Sequence, residues 1–214
     1  MAYVKITDIT AGKLGIWELT EPSENLIKMS QFSVTEKRKF EQIRNERRKK
    51  EYLAVRLLLE KMLHSKIEIS YNHSGKPQLK NGLHISVSHS SELAVVLLTN
   101  KNAGVDTENI YRKTESVSSR FLSEKEINDL HRSTNPELSR ILYWCAKEAA
   151  FKFSALPEVE FKTQITVHPF DCRPEQGNFR GELLKGEPAI DLTFHYFFHQ
   201  NNVVVYCVEK EKNN

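Results

Sequence analysis

The stretch YWCAKEAAFKF, Tyr143 to Phe153, mixes two things that a helix normally keeps apart. Its aromatic and alanine positions recur at the spacing of a core-facing stripe, yet Lys147, Glu148 and Lys152 are set among them rather than gathered on a polar face. Glu148 and Lys152 are four apart and share a helix face, so the plain reading is an exposed ion pair worth a few tenths of a kcal/mol. That reading leaves their place beside Trp144, Ala149 and Phe151 unexplained. A carboxylate held near an apolar stripe needs a partner stronger than solvent.

Working outward, SEKE from Ser123 to Glu126 has the form of a capping box, which predicts a helix from there to about His131. The helix carrying Tyr143 to Phe153 then follows STNPEL. Beyond Pro157 the chain turns to strands: FKTQITVHPF, AIDLTFHYFF and, after the turn-like HQNN, VVVYCVEK. Upstream, AGVDTENI reads as a short strand, and LHISVSHS with ELAVVLLTN as a hairpin. The loop NHSGKPQLKNG precedes that hairpin. Earlier still, Phe40, Ile43, Tyr52, Val55, Leu58, Leu59 and Met62 mark a long helical segment with a break expected near Asn45, after a first strand around LGIWEL. The order of elements predicts an α+β fold of two similar lobes, residues 1–102 and 103–214, each with a helix packed on a small antiparallel sheet. A ligand is expected in the cleft of such a pseudo-dimer.

Composition sets the outer bounds. With 214 residues, 39% hydrophobic and 28% charged, the chain has the makings of a packed core, and collagenous, disordered and membrane classes are excluded. MAYVKITDIT lacks the basic start and apolar run of a signal peptide, and LAVVLL is too short to span a bilayer, so a cytoplasmic location with no membrane partner is expected. Cys145, Cys172 and Cys207 are odd in number and widely spaced, which supports neither a disulfide framework nor a zinc site. They read as small core residues.

The net charge of +3 says little, but EKRKFEQIRNERRKK, Glu36 to Lys50, concentrates Lys and Arg. It is either a solvated helix face or a surface for phosphate groups. In GVDTENI, Asp106 and Glu108 are two apart in a strand, so both side chains leave one face and repel unless a cation or proton lies between them. Glu148 is the candidate third carboxylate for a hard, oxygen-loving ion such as Mg²⁺. The turn at Lys76 and the pair Ser88 and His89 add donors suited to phosphate. Together these residues suit a metal-bound polyphosphate.

GVDTE, RFLSEKE from Arg120 and WCAKEAAFK resemble, in order and separation, the signature of the 4'-phosphopantetheinyl transferases of the larger, two-lobed (Sfp-type) group. GKPQL, SVSHS and RRKKEYLAVRLLL resemble further motifs of that group, so the likeness covers about residues 36–153. Thr107 stands where an apolar residue is often found, and Ser86 where many members have Asn. The resemblance implies coenzyme A as donor and an apo acyl or peptidyl carrier protein as acceptor, with a monomeric enzyme. It further implies Mg²⁺ on Asp106, Glu108 and Glu148, phosphate neutralisation by Lys152, and an adenosine end with its 3'-phosphate held by Lys76, Ser88, His89 and Arg47 or Arg48. On this reading the charges of the Tyr143 to Phe153 helix face metal and phosphate, with Glu148 taking the serine proton, and Arg112 to Arg120 with Phe121 and Leu122 form a docking surface for the acidic carrier.

Two rival readings use the same residues. The three carboxylates also suit a Mg²⁺-dependent phosphodiester hydrolase, which leaves GKP and SHS unassigned. The basic run also suits a non-enzymatic nucleic-acid contact helix, but no nucleic-acid-binding motif accompanies it, so no nucleic-acid partner is expected.

Overall fold

In a computed structural model the protein is described for residues 4–156 and 158–209. Pro157 and Lys210, which bound expected strands, lie outside the described residues. The chain divides into two compact units, the first ending at Lys101 and the second beginning at Asn102.

The first unit opens with a hairpin, β1 (Val4–Ile9) and β2 (Gly12–Glu18), followed by helices α1 (Ser23–Met29), α2 (Val34–Glu41) and α3 (Glu46–Leu63). Two-residue strands β3 (Ser70–Tyr71) and β4 (Pro77–Gln78) pair with each other, and β5 (His84–His89) and β6 (Leu93–Thr99) complete a four-stranded antiparallel sheet in the order β1-β2-β6-β5. The helical segment breaks where Asn45 predicts: its side chain accepts the Arg48 N–H at 3.0 Å and caps α3. Ser33 and Glu36 form a capping box that starts α2. The apolar face of α3, with Leu53, Leu58 and Met62, packs with Trp17, Ile85 and Val96 of the sheet in one core.

The second unit runs β7 (Ala103–Asn109), a 3₁₀ turn at Glu115–Val117, α4 (Ser118–Phe121), α5 (Glu124–His131), α6 (Pro136–Ser154), β8 (Ile165–Val167), β9 (Gln176–Leu183), β10 (Ile190–His199) and β11 (Asn202–Glu209). Its five-stranded antiparallel sheet has the order β7-β11-β10-β9-β8. The capping box of α5 forms as its sequence predicts, Ser123 with Glu126. Asn135 and Pro136 start α6, and Ala155 ends it in the left-handed region at φ 57°.

The two units share a topology. In each, a strand is followed by short helices and one long helix, and the strand then pairs with the last strand of the unit, giving β2-β6-β5 in one and β7-β11-β10 in the other. β2 and β7 each also carry a glycine beneath the long helix of their unit. A Cβ on Gly15 would lie 2.6 Å from Met62 Sδ of α3, and one on Gly104 would run into the Ala149 carbonyl oxygen of α6. The α+β class expected from element order is the one observed. The strands β1 and β9 and the helix α1 add to the elements legible in the sequence, and FKTQITVHPF contracts to the three residues of β8. β9 hides because Gly177, Asn178 and Gly181 dilute its strand character. Among the described residues, no helix is long and apolar enough to cross a membrane.

Lys147 corrects one expectation. Rather than facing a phosphate, its side chain is wholly buried, with Nζ 2.8 Å from Glu126 Oε2 and donating to the carbonyls of Phe161 and Ile165 at 2.7 Å each. Glu126 in turn accepts the Val167 N–H at 2.9 Å and the Ser123 N–H at 2.7 Å. Burial pulls the Lys147 pKa below the usual lysine range, and Glu126 opposes that pull. The network ties α5, α6, β8 and the intervening loop together with its buried polar groups satisfied. Glu126→Gln removes the compensating charge, and urea denaturation is expected to show a loss of about 3 kcal/mol. Glu124→Gln, on the exposed first turn of the same helix, should change stability by less than about 0.5 kcal/mol.

Candidate active site

β7 presents Gly104, Asp106 and Glu108 on one face because side chains two apart in a strand point the same way. Gly104 lets α6 come down on that face, with the Phe153 N also within 2.8 Å of where a Cβ would sit. This close crossing brings the helix charges to the strand carboxylates. Lys152 Nζ, at the last turn of α6, donates to Asp106 Oδ1 at 2.8 Å and to the Val105 carbonyl at 3.0 Å. Asp106 is buried, and the thiol of Cys145, on the same helix as Lys152, is fully buried and feels its charge. Burial and the Asp106 charge push that thiol well above its ordinary pKa, so it stays neutral.

Glu148 stands one turn before Lys152. Its carboxyl pKa is raised, first by burial and then by the charge of Asp106, with Lys152 and Arg112 pulling the other way. The upward shift marks a place where a second negative charge is poorly tolerated and a cation would be welcome. Glu108 pairs with Arg112, whose guanidinium also lies over the Trp144 ring at 5.5 Å. Asp106 and Glu108 are thus each engaged by a cation of the chain. Among the described residues, no three His, Cys, Asp or Glu side chains are gathered as a metal centre. The donors at this site are carboxylate oxygens alone, and the mutual repulsion of Asp106 and Glu148 suits a hard divalent cation.

In the first unit, Arg47 and Arg48 both turn to Glu51, at 2.9 and 2.8 Å, and Arg48 Nη1 lies 2.8 Å from His89 Nε2. The arginine beside His89 is therefore Arg48. Glu51, only 3% exposed, collects Arg47, Arg48 and His89 on one buried carboxylate, a role its plain i, i+4 spacing from Arg47 hints at but does not reveal. Ser88 precedes His89 at the end of β5 and is buried. Lys76 sits in the turn between β3 and β4, where its own N–H donates to Asn72 Oδ1 at 2.8 Å and Gly75 has φ 78°.

Two results are expected from this geometry. Gly104→Ala forces α6 from the strand and should cost about 2 kcal/mol in denaturant titrations, with a larger loss for Gly104→Val. Glu148 has a folded-state pKa above its unfolded value, so the folded chain binds more protons and loses stability as pH rises through the raised pKa. Glu148→Gln should therefore melt at or above the wild-type temperature at pH 7.5, and the wild type should gain on the variant as pH falls to 5.

Residues 102–207 match the family model of the 4'-phosphopantetheinyl transferase superfamily. No curated protein matches the chain. The matched span begins where the second unit begins and contains Asp106, Glu108, Glu126, Lys147, Glu148 and Lys152. The second unit, with its acidic strand closed upon by a charged helix, is thus the part of the chain that is similar to the 4'-phosphopantetheinyl transferase superfamily.

Proposed function

We propose that this protein belongs to the larger, two-lobed group of the superfamily and transfers 4'-phosphopantetheine from coenzyme A to a serine of an apo acyl or peptidyl carrier protein. The observation that carries the reading is the cluster of Asp106, Glu148 and Lys152 built by the crossing of α6 over β7 within the matched domain. Phosphopantetheine transfer in general is supported by the family match. Asp106, Glu108 and Glu148 would hold Mg²⁺, which supplies charge neutralisation on the coenzyme A pyrophosphate when bound.

Lys152 holds its ammonium at Asp106, where it also offers charge to a phosphate oxygen. The carrier serine oxygen bonds to the phosphorus that bears pantetheine, the pyrophosphate P–O bond breaks, and adenosine 3',5'-bisphosphate leaves. Glu148 accepts the serine proton, a task that its raised pKa suits. In the first unit, Arg47 or Arg48, Lys76, Ser88 and His89 would hold the adenosine end and its 3'-phosphate, a reading supported by Arg48 lying beside His89.

The test is the intact mass of a purified apo carrier protein after incubation with this protein, coenzyme A and Mg²⁺. A gain of one phosphopantetheine, absent with EDTA and with Asp106→Ala, is expected. No gain across acyl and peptidyl carriers, with nucleotide hydrolysed instead, would overturn the reading in favour of a hydrolase. Glu148→Gln should slow transfer by roughly 100-fold or more, and a variant with full turnover would remove Glu148 from the proton step.

A further inference from the structure

β7 ends in a tight turn that points a cation back at its own carboxylates. The Tyr111 N–H donates to Asn109 Oδ1 at 2.9 Å and the Arg112 N–H to the Asn109 carbonyl at 3.0 Å, so residue 112 folds back over the strand end. Its guanidinium meets three parts of the site at once: it pairs with Glu108, lies over the Trp144 ring at 5.5 Å, and lowers the charge burden on Glu148. Trp144 and Glu148 are successive turns of one face of α6, so Arg112 lies against both elements that carry the carboxylates.

The two cations at the site are not held alike. Lys152 is anchored by Asp106 and the Val105 carbonyl, with its side chain 24% and that of Asp106 8% exposed. Arg112 is 47% exposed and Glu108 17%. An ion pair this open to water is weak, and the ring beneath the guanidinium gives it a place to rest that does not need Glu108. A divalent cation attracts a carboxylate more strongly than a half-solvated guanidinium does.

We propose that Arg112 is the chain's own competitor for the divalent cation: it occupies Glu108 in the unloaded protein and must leave that carboxylate before Glu108 can act as a ligand beside Asp106 and Glu148. This rests on the reading of those three carboxylates as the metal site. Arg112 is thus a positioning residue that keeps the acidic cluster from repelling itself while empty, and it sets how much free cation is needed to load it.

Binding of Mn²⁺ to the full chain, followed by the loss of the free-ion electron paramagnetic resonance signal, tests the proposal without reference to turnover. Arg112→Gln should bind Mn²⁺ roughly twofold to fivefold more tightly than the wild type, the range expected for one exposed ion pair. In an Glu108→Gln background the same change should bring no gain, because the group over which the two cations compete is gone. Equal or weaker binding by Arg112→Gln overturns the proposal, and so does an equal gain in the Glu108→Gln background, which would mark a general charge effect. If the wild type binds Mn²⁺ and Asp106→Ala does not, such results count against Arg112 alone. If the wild type binds no Mn²⁺, the metal site itself falls, and this inference with it.

Discussion

The acidic cluster of the second unit depends on how close one helix comes to one strand. α6 crosses β7 at Gly104, where backbone meets backbone with no room for a side chain. From that contact the rest of the site follows by geometry. Asp106 and Glu108 are set by the two-residue period of the strand, and Cys145, Glu148 and Lys152 by the turns of the helix. A helix one methyl group farther away would leave Lys152 short of Asp106, and the acids would lose the cation that lets them be buried. The first unit repeats the device with Gly15 beneath α3, where the helix lays leucine and methionine on the sheet instead of charge.

Buried carboxylates are the second organising element. Glu51 gathers Arg47, Arg48 and His89, Glu36 lies within salt-bridge distance of Arg56 and Lys66, and Glu126 holds Lys147. A buried acid that meets several cations fixes their directions at the cost of desolvation, which is tolerable only when each oxygen is bonded. In Glu126 this is nearly complete, since one carboxylate closes a helix cap, a buried ammonium and a strand N–H. Adjacent residues of α6 thereby do different work: Lys147 locks the helix into its own domain, and Glu148 faces the charges of Asp106, Lys152 and Arg112.

Much of this was legible in the residues themselves. The capping box at Ser123, the break at Asn45, the terminal hairpin and the spacing of the acidic and basic motifs are local, and local rules find them. The partners of the buried charges were not. Glu126 reads as a capping residue and Lys147 as one of several charges on a half-buried helix, and 21 positions of chain separate them. Glu51 comes directly after the basic run of Glu36 to Lys50, and nothing local marks it as the partner of its arginines. A pairing of that kind depends on which helix face turns inward, and the periodicity of a short segment leaves the depth of each polar residue open.

The sequence by itself determined the elements, the shared face of Asp106 and Glu108, the helix carrying Glu148 and Lys152, and so the kind of chemistry that the chain can support. Those features rest on periods of two and of 3.6 residues, which any stretch of chain carries within it. Only the tertiary structure decided that Arg48 rather than Arg47 lies beside His89, that Lys147 is a buried tie, and that Arg112 returns to Glu108. These are outcomes of packing, in which the direction of a long charged side chain is set by the nearest carboxylate the fold leaves within reach and by how much water remains around the pair.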